Sequence, residues 1–130
     1  MSNVKEGGCL CGAVRYKIDA EPEVVAHCHC GVCRRSAGAP VQTWLVLPRS
    51  NFHITKGELK IYNSSPKGER KFCGDCGTQI VFQTSENPEK LDVSVSSLDD
   101  PESMVPSCHV GTEGRLSFMT SLGADLQVAS

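Results

Sequence analysis

The amino-acid sequence predicts a mainly β protein, and three observations lead to that fold class. Apolar and polar residues alternate in several segments of the 130-residue chain, which is the pattern of half-buried strands. The 12 glycines and 7 prolines favour turns over long helices. No segment has an amphipathic helical pattern longer than about three turns. We therefore expect strands and short helical turns in one domain that spans residues 1–130.

Five strands are predicted from the alternating pattern. In chain order they lie near residues 14–18, 41–47, 59–61, 80–82 and 91–95. In the first strand, Val14, Tyr16 and Ile18 alternate with Arg15 and Lys17, so one face would be buried and the other exposed. Glycines and a serine–proline stretch between the strands mark the turns.

Two short helical turns are expected between the strands. One begins at Asp100, which can cap a turn that has Pro101 in its first helical position. The other follows Cys33. The tail, residues 123–130, is expected to be frayed.

The composition argues against several classes of protein. The formal net charge is −2 and the chain has no basic arm, so binding to nucleic acid is not expected. The first eight residues lack the apolar segment of a secretory signal, and no apolar run approaches the ~20 residues that a membrane-spanning helix needs. We expect a soluble cytoplasmic protein, in which eight cysteines favour metal binding over disulfides.

Seven of the eight cysteines form three tight clusters. The clusters are Cys9-x-Cys11, Cys28-x-Cys30-x-x-Cys33 and Cys73-x-x-Cys76. Residues one or two positions apart on a turn can both direct sulfur at one metal ion. Four ligands fill a tetrahedral zinc site, and three leave a second site with an open position, which is typical of catalytic zinc. The spacing therefore predicts two zinc ions per chain, one structural and one catalytic.

The first and last clusters lie far apart in the chain. A zinc ion shared between them would join the N-terminal strand to the second half of the protein, which is how a structural metal stabilises a small β domain. The middle cluster can surround one ion with three sulfurs. The alternative is a second structural site, closed by a fourth ligand from His27, His29 or Cys108.

The motifs around the cysteines resemble those of one known family. In chain order they are Gly8-Cys9-Leu10-Cys11-Gly12-Ala13-Val14, His27-Cys28-His29-Cys30-Gly31-Val32-Cys33-Arg34-Arg35, Gly38-Ala39-Pro40, Phe72-Cys73-Gly74-Asp75-Cys76-Gly77 and Leu98-Asp99-Asp100-Pro101. This order is similar to that of the glutathione-dependent formaldehyde-activating enzyme family, whose GFA domain is shared with centromere protein V. The resemblance covers about residues 7–109, and its specific part is the set of seven ordered cysteines.

The resemblance implies a fold, a metal content and an activity. The fold is a β-tent of twisted antiparallel sheets with zinc-bearing loops. A structural zinc is implied on Cys9, Cys11, Cys73 and Cys76. A catalytic zinc is implied on Cys28, Cys30 and Cys33. The implied activity makes or breaks a carbon–sulfur bond in a glutathione–aldehyde adduct, with glutathione or a similar thiol as co-substrate.

Four cations lie beside cysteine clusters. Arg34 and Arg35 directly follow the middle cluster, and we expect one of them to bind a carboxylate of a glutathione-like thiol, since arginine pairs bidentately with carboxylates. The alternative is a solvated charge pair. Arg70 and Lys71 precede the last cluster, where we expect them to offset the charge of four thiolates.

For several other residues we expect a structural role first, with a functional role as the alternative. His29, between two predicted ligands, is expected to pack or to cap a sulfur rather than to transfer protons. Cys108 is expected to be a small buried residue, and the functional alternative is a redox thiol whose pKa is lowered by His109. Asp99 and Asp100 are expected to act as cap and turn residues first and as a general base second.

The favoured function is a zinc-dependent carbon–sulfur lyase that acts on a small-molecule thiol–aldehyde adduct. A metal held by three thiolates is a softer Lewis acid than one held by three histidines, so it favours binding sulfur. One alternative is a non-catalytic zinc module that binds a protein or nucleic acid. The other is a thiol redox enzyme that uses Cys108, similar to the methionine-sulfoxide reductases. No oligomeric state is predicted.

Overall fold

Two β-sheets and one short α-helix make up the computed structural model, which describes residues 4–122 and 126–128. The strands in chain order are β1 (Lys5–Gly8), β2 (Arg15–Ile18), β3 (Val24–Cys28), β4 (Gln42–Pro48), β5 (Phe52–Lys56), β6 (Leu59–Asn63), β7 (Gly68–Cys73), β8 (Gln79–Thr84), β9 (Lys90–Ser94) and β10 (Cys108–Val110). The helix is α1 (Gly31–Ala37), and the other helical segments are single 3₁₀ turns. The mainly β fold class is confirmed. The tail predicted to be frayed, residues 123–130, falls mostly outside the described residues.

The strands form one small sheet and one large sheet. The small sheet has the order β1-β2-β5, and the large sheet has the order β10-β3-β4-β9-β8-β7-β6. Neighbouring strands are antiparallel except for β10 and β3, which run parallel. None of the described helices is long and apolar enough to cross a membrane.

Five strands were not predicted, because their sequences do not alternate cleanly. β1 contains two glycines, and β5 is mostly exposed on both faces. In β7 a register irregularity between Lys71 and Phe72 interrupts the period of two. β10 has only three residues, all of them exposed. β3 has consecutive buried residues, Val25 and Ala26, so both of its faces are covered.

The hydrophobic core lies between the two sheets. The large sheet contributes buried residues from four neighbouring strands, among them Val25, Leu45, Val81 and Val93. The small sheet contributes Tyr16 and Ile18, which are almost fully buried. The side chains of β2 therefore alternate as predicted, with one set pointing into this core and the other pointing away from it.

The opposite face of the large sheet carries a row of polar and aromatic side chains. Arg70 is paired with Phe82 across β7 and β8, and Phe82 is paired with Asp92 across β8 and β9. Residues paired directly across strands lie on the same face. Trp44 and Cys28 belong to this face as well, by alternation along β4 and β3. The row thus leads across the sheet to the middle cysteine cluster.

The helix α1 begins earlier than predicted. It starts at Gly31 rather than after Cys33, because Cys30 occupies the N-cap position and its Sγ accepts the backbone N–H of Cys33 at 3.4 Å. It ends at Ala37, and the C-cap residue Gly38 has a positive φ of 66° and donates its backbone N–H to the carbonyl of Arg34. The predicted turn at Asp100 is present as the 3₁₀ segment Pro101–Ser103, without a cap from the Asp100 side chain.

Candidate metal centres and ligand cavity

The first and last cysteine clusters form one group, which we call the four-sulfur group. Its members are Cys9, Cys11, Cys73 and Cys76, whose sulfurs all lie within 4.8 Å of one another. Two ligands of a tetrahedral zinc ion at about 2.3 Å are about 3.8 Å apart. The Sγ atoms of Cys9 and Cys11 are 3.7 Å apart, and those of Cys11 and Cys73 are 3.8 Å apart. These separations fit a tetrahedral ion and exceed the ~2.05 Å of a disulfide.

Hydrogen-bond donors surround the four-sulfur group. The backbone N–H of Val14 donates to Cys9 Sγ at 3.2 Å, and that of Asp75 donates to Cys73 Sγ at 3.3 Å. The hydroxyl and backbone N–H of Thr78 hold the pKa of Cys76 at about 5. Donors aimed at sulfur stabilise thiolates, which are the form that binds a metal. The surroundings of this group therefore suit a metal ion.

The middle cluster forms a second group, which we call the three-sulfur group. The Sγ of Cys28 lies 3.5 Å from that of Cys30 and 3.2 Å from that of Cys33. Burial raises the pKa of Cys28 to about 12, and the neighbouring Cys33 contributes to that rise. Such close thiols do not all ionise unaided, whereas a cation among them stabilises the thiolates. The donor set therefore fits a metal ion as well.

No fourth Cys, His, Asp or Glu ligand joins the three-sulfur group within the described part of the chain. Nε2 of His29 instead lies 2.9 Å from Nδ1 of His109, and Nδ1 of His27 lies 2.8 Å from the hydroxyl of Thr43. Burial lowers the pKa of both His27 and His29. His29 is packed in the interior as expected, but its Nε2 pairs with His109 rather than with a sulfur. The alternative of a site closed by these histidines is not what the structure presents.

Arg70 lies beside the three-sulfur group rather than the four-sulfur group. Its Nη2 is 3.9 Å from Cys33 Sγ, and its Nε donates to Ser64 Oγ at 3.3 Å. The guanidinium stacks on the Phe82 ring, 4.6 Å from the centroid. The expectation that Arg70 offsets the charge of four thiolates was wrong, because β7 carries its side chain across the sheet toward α1. Lys71 faces the opposite side, where it lines a separate groove.

Apolar side chains pack against the three-sulfur group, and an acidic residue, Asp92, lies farther along the same face of the sheet. Cys28, Cys33 and Trp44 are buried together, and Phe82 packs against them. Asp92 lies next to Phe82 in the row, and burial raises its pKa to about 6, with Arg70 acting to lower it. Asp92 and Trp44 were not singled out from the sequence. The sequence did not reveal a role for either residue. Trp44 has the pattern of an ordinary apolar strand residue, and Asp92 has that of an ordinary polar residue in an alternating strand.

A cavity of about 510 Å³ opens beside Arg70 and α1. Its polar lining consists of Arg35, Ser36, Tyr62, Ser64, Arg70 and Gln79. Arg34 takes a different direction, and its Nε donates to the carbonyl of His29 at 3.4 Å. Of the two adjacent arginines named from the sequence, Arg35 is therefore the one on the cavity.

The segment after β10 packs over the three-sulfur group. The N–H of His29 bonds to the carbonyl of Val110 at 3.0 Å. A Cβ on Gly111 would lie 3.0 Å from the Cys30 nitrogen, and Gly111 has a positive φ of 61°. A Cβ on Gly114 would lie 2.7 Å from the His29 carbonyl oxygen. In the sequence, these two glycines were the feature that could have indicated this contact, because only glycine allows two backbone segments to approach so closely.

Two other sequence expectations have definite outcomes. Cys108, expected to be buried, is exposed, because it lies on the edge strand β10. Asp99 accepts a bidentate ion pair from Arg15, with Nη1–Oδ1 and Nη2–Oδ2 distances of 3.0 and 2.5 Å. This pair lowers the pKa of Asp99 and commits its carboxylate to Arg15. The ion pair of Asp99 with Arg15 was not predicted from the sequence, and it leaves this carboxylate poorly placed to act as a base.

Comparison with known proteins gives one family. The model of the family described as "Glutathione-dependent formaldehyde-activating enzyme" (GFA) matches residues 4–113 of this chain. That range is slightly wider than the one the cysteine motifs indicated, and it contains all seven clustered cysteines.

Two curated relatives are similar over part of their length. One, from Schizosaccharomyces pombe, is named an uncharacterized lyase, and it is 34% identical over 77 residues, which are 59% of this chain and 56% of the relative. The other, from Halomonas elongata, is named "Putative glutathione-dependent formaldehyde-activating enzyme", and it is 29% identical over 104 residues, 72% of this chain and 65% of the relative. The matches thus span less than two thirds of either relative.

A crystal structure of a Rhodobacter sphaeroides protein has a similar fold. Its TM-score is 0.65, with 24% sequence identity, over 81% of this chain and 99% of that one. At this level of identity the likeness concerns the fold alone.

Proposed function

This chain belongs to the glutathione-dependent formaldehyde-activating enzyme family, and from that premise we propose that it is a zinc-dependent carbon–sulfur lyase acting on a thiol–aldehyde adduct. The family description supports a lyase-type function related to glutathione. The reaction, the thiol and the aldehyde are our proposal. The observation that carries it is the three-sulfur group, which has no fourth side-chain ligand among the described residues and lies against Arg70, a residue that lines a cavity.

We assign the two groups of sulfurs different roles. The four-sulfur group would hold a structural ion, because it joins the β1–β2 loop to the turn after β7. Cys28, Cys30 and Cys33 would hold the catalytic ion. When bound there, zinc supplies Lewis-acid character and affinity for sulfur.

The chain's own residues prepare the site for a negatively charged sulfur. Arg70 lies 3.9 Å from Cys33 Sγ and opposes the negative charge of three thiolates with a fixed positive charge. The backbone N–H of Cys33 donates to Cys30 Sγ, which fixes the position of that ligand at the start of α1. Trp44 and Phe82 exclude water from the sheet side of the group.

The proposed reaction is the reversible addition of a thiol to formaldehyde. A sulfur–carbon bond forms as the carbonyl π bond breaks, and the thiol proton is transferred to the former carbonyl oxygen. The product is an S-hydroxymethyl adduct, which is a hemithioacetal. In the reverse direction the carbon–sulfur bond breaks and the proton returns to sulfur. No oxidant or reductant is needed, which distinguishes this reaction from the redox alternative based on Cys108.

The test is the rate at which glutathione and formaldehyde exchange with their adduct. Exchange NMR on equilibrated mixtures measures that rate with and without the zinc-loaded protein. We expect catalytic amounts of protein to accelerate exchange, and Cys30→Ser to remove the acceleration. Cys108→Ser is the matched thiol control, and it is expected to behave as wild type because Cys108 is exposed on an edge strand.

Two results would contradict the proposal in different ways. Exchange at the uncatalysed rate with both metal sites filled would favour the non-catalytic zinc module. Loss of activity in Cys108→Ser with both metals retained would place the reaction at Cys108 rather than at the three-sulfur group.

A further inference from the structure

His29 lies between two of the three sulfur ligands in the chain, but its side chain belongs to a different part of the molecule. The residue is only 1% exposed. Together with His27 and His109 it lines a cavity of about 260 Å³, and no clustered cysteine is among the described residues that line this cavity. The loop from β3 to α1 therefore carries the sulfurs of one group and a buried imidazole that packs elsewhere.

The ring of His29 has one hydrogen-bond partner among the described residues, and that partner is the ring of His109. Nε2 of His29 lies 2.9 Å from Nδ1 of His109, and the ring centroids are 5.1 Å apart. Nδ1 of His29 is buried and has no partner within the part of the chain that the structure describes. His27 does not compete for this bond, since its Nδ1 lies 2.8 Å from the hydroxyl of Thr43. A buried polar ring with a single hydrogen bond depends on that bond for its orientation.

The strand that carries His109 contacts the same loop through its backbone. β10 pairs in parallel with β3, so that His109 lies opposite His27 and Val110 lies opposite Cys28. The N–H of His29 donates to the carbonyl of Val110 at 3.0 Å. His109 itself is exposed and belongs to neither hydrophobic cluster. Its side chain therefore adds no core packing, and its distinctive contact is the bond with His29.

We propose that His109 is a positioning residue for the three-sulfur group, because its bond to His29 fixes the loop that places the sulfur ligands on either side of His29. The inference rests on the part of the proposed function that assigns a metal ion to this group, and not on the reaction. Residues outside the ligand shell that orient the ligands of a metal typically contribute about 10- to 100-fold to its affinity. His109 acts through an intervening residue, so we expect the lower end of that range.

The metal affinity of the zinc-loaded protein tests this proposal. Equilibrium competition with a chromophoric chelator measures the affinity for each ion, and Cys30→Ser identifies the ion of the three-sulfur group as the one that it loses. We expect His109→Leu to weaken the binding of that ion about tenfold and to leave the affinity for the other ion unchanged. His109→Asn should bind both ions as wild type does. Asparagine has nearly the shape of leucine, but its amide places a hydrogen-bonding atom where Nδ1 of the imidazole lies.

Matched variants separate positioning from a general loss of structure, and urea unfolding of each variant measures its stability. Val110→Ala changes the same strand without removing the bond between the two imidazoles, and His53→Leu removes an exposed histidine that is bonded to Asp19. Both should keep wild-type metal affinity. Wild-type affinity in His109→Leu would overturn the proposal, and so would equal weakening in His109→Leu and His109→Asn. An effect of His109→Leu that is undiminished when His29→Leu is already present would also overturn it, because the effect would then not pass through His29.

The outcomes separate this proposal from the proposed function. Metal affinity that depends on His109, in a protein that does not accelerate thiol–aldehyde exchange, would support the positioning role and reject the lyase. Accelerated exchange in a protein whose metal affinity is indifferent to His109 would support the lyase and reject the positioning role.

Discussion

The guanidinium of Arg70 lies against the sulfur of Cys33, with 3.9 Å between Nη2 and Sγ, although 37 residues separate the two in the chain. The contact connects β7 of the large sheet to α1, on the face opposite the hydrophobic core. It places a fixed positive charge beside three closely spaced sulfurs. The charge environment of the three-sulfur group is therefore set by the sheet as well as by the loop that carries the cysteines.

The two groups of sulfurs should respond differently to loss of one ligand. Cys73 is fully buried and belongs to the group that joins two distant segments, so Cys73→Ser should lower the free energy of unfolding by roughly 4 kcal/mol or more. Cys30 belongs to a local group, so Cys30→Ser should leave a folded protein that has lost one metal ion. Thermal melts with metal analysis measure both effects. A larger loss of stability in Cys30→Ser would mean that the structural and catalytic roles are reversed.

Asp92 should make stability depend on pH. Its pKa is raised by burial from 3.8 in the unfolded chain to about 6 in the folded one, although Arg70 faces it and opposes the shift. The folded state therefore favours the protonated carboxyl. The cost of ionising it is absent below the unfolded pKa, grows as pH rises, and is fully present above pH 6, where it is at most about 3 kcal/mol.

Asp92→Asn should accordingly stabilise the protein at pH 7 by up to about 3 kcal/mol, with a gain that shrinks as pH falls toward 5. Urea unfolding of wild type and variant at a series of pH values measures the difference, and metal loss at low pH affects both proteins alike. The exposed Glu58→Gln is the matched control and should change stability by less than about 0.5 kcal/mol. A pH-independent difference between Asp92→Asn and wild type would refute this interpretation.

Tyr16 should contribute a hydrogen bond to the core. Its hydroxyl lies 2.6 Å from Ser97 Oγ, and Ser97 donates its own proton to the carbonyl of Ser94 at 2.8 Å, so Tyr16 is the donor to Ser97. Tyr16→Phe should cost roughly 1–2 kcal/mol of unfolding free energy. Tyr62→Phe, at an exposed position, should cost much less. Similar losses in chemical denaturation of the two variants would show that the buried bond adds nothing.

The sequence predicted the parts of this protein that depend on local patterns. Val14, Tyr16 and Ile18 alternate because one face of β2 is buried, and that signal needs no knowledge of the partner sheet. Cysteine spacing grouped the sulfurs for a similar reason, since ligands on one turn are neighbours in sequence. Their role as metal ligands stays a prediction.

The features that the sequence did not predict depend on contacts between distant segments. Arg70 reaches Cys33 only because β7 and α1 meet across the sheet, whereas its position just before Cys73 led to the expectation that it lies beside the four-sulfur group. Cys108 looked like a small core residue, but it is exposed because β10 pairs with β3 at the edge of the sheet. Such placements follow from topology, which the alternating pattern does not encode.

The open three-sulfur site is the central claim, and cobalt substitution tests it most directly. The account predicts two cobalt ions per chain and an increase in the thiolate-to-cobalt charge-transfer absorption when glutathione is added. Cys30→Ser should abolish that increase and S-methylglutathione should not produce it, because its sulfur has no thiolate form. A charge-transfer band that glutathione leaves unchanged in the fully loaded wild-type protein would contradict an open site.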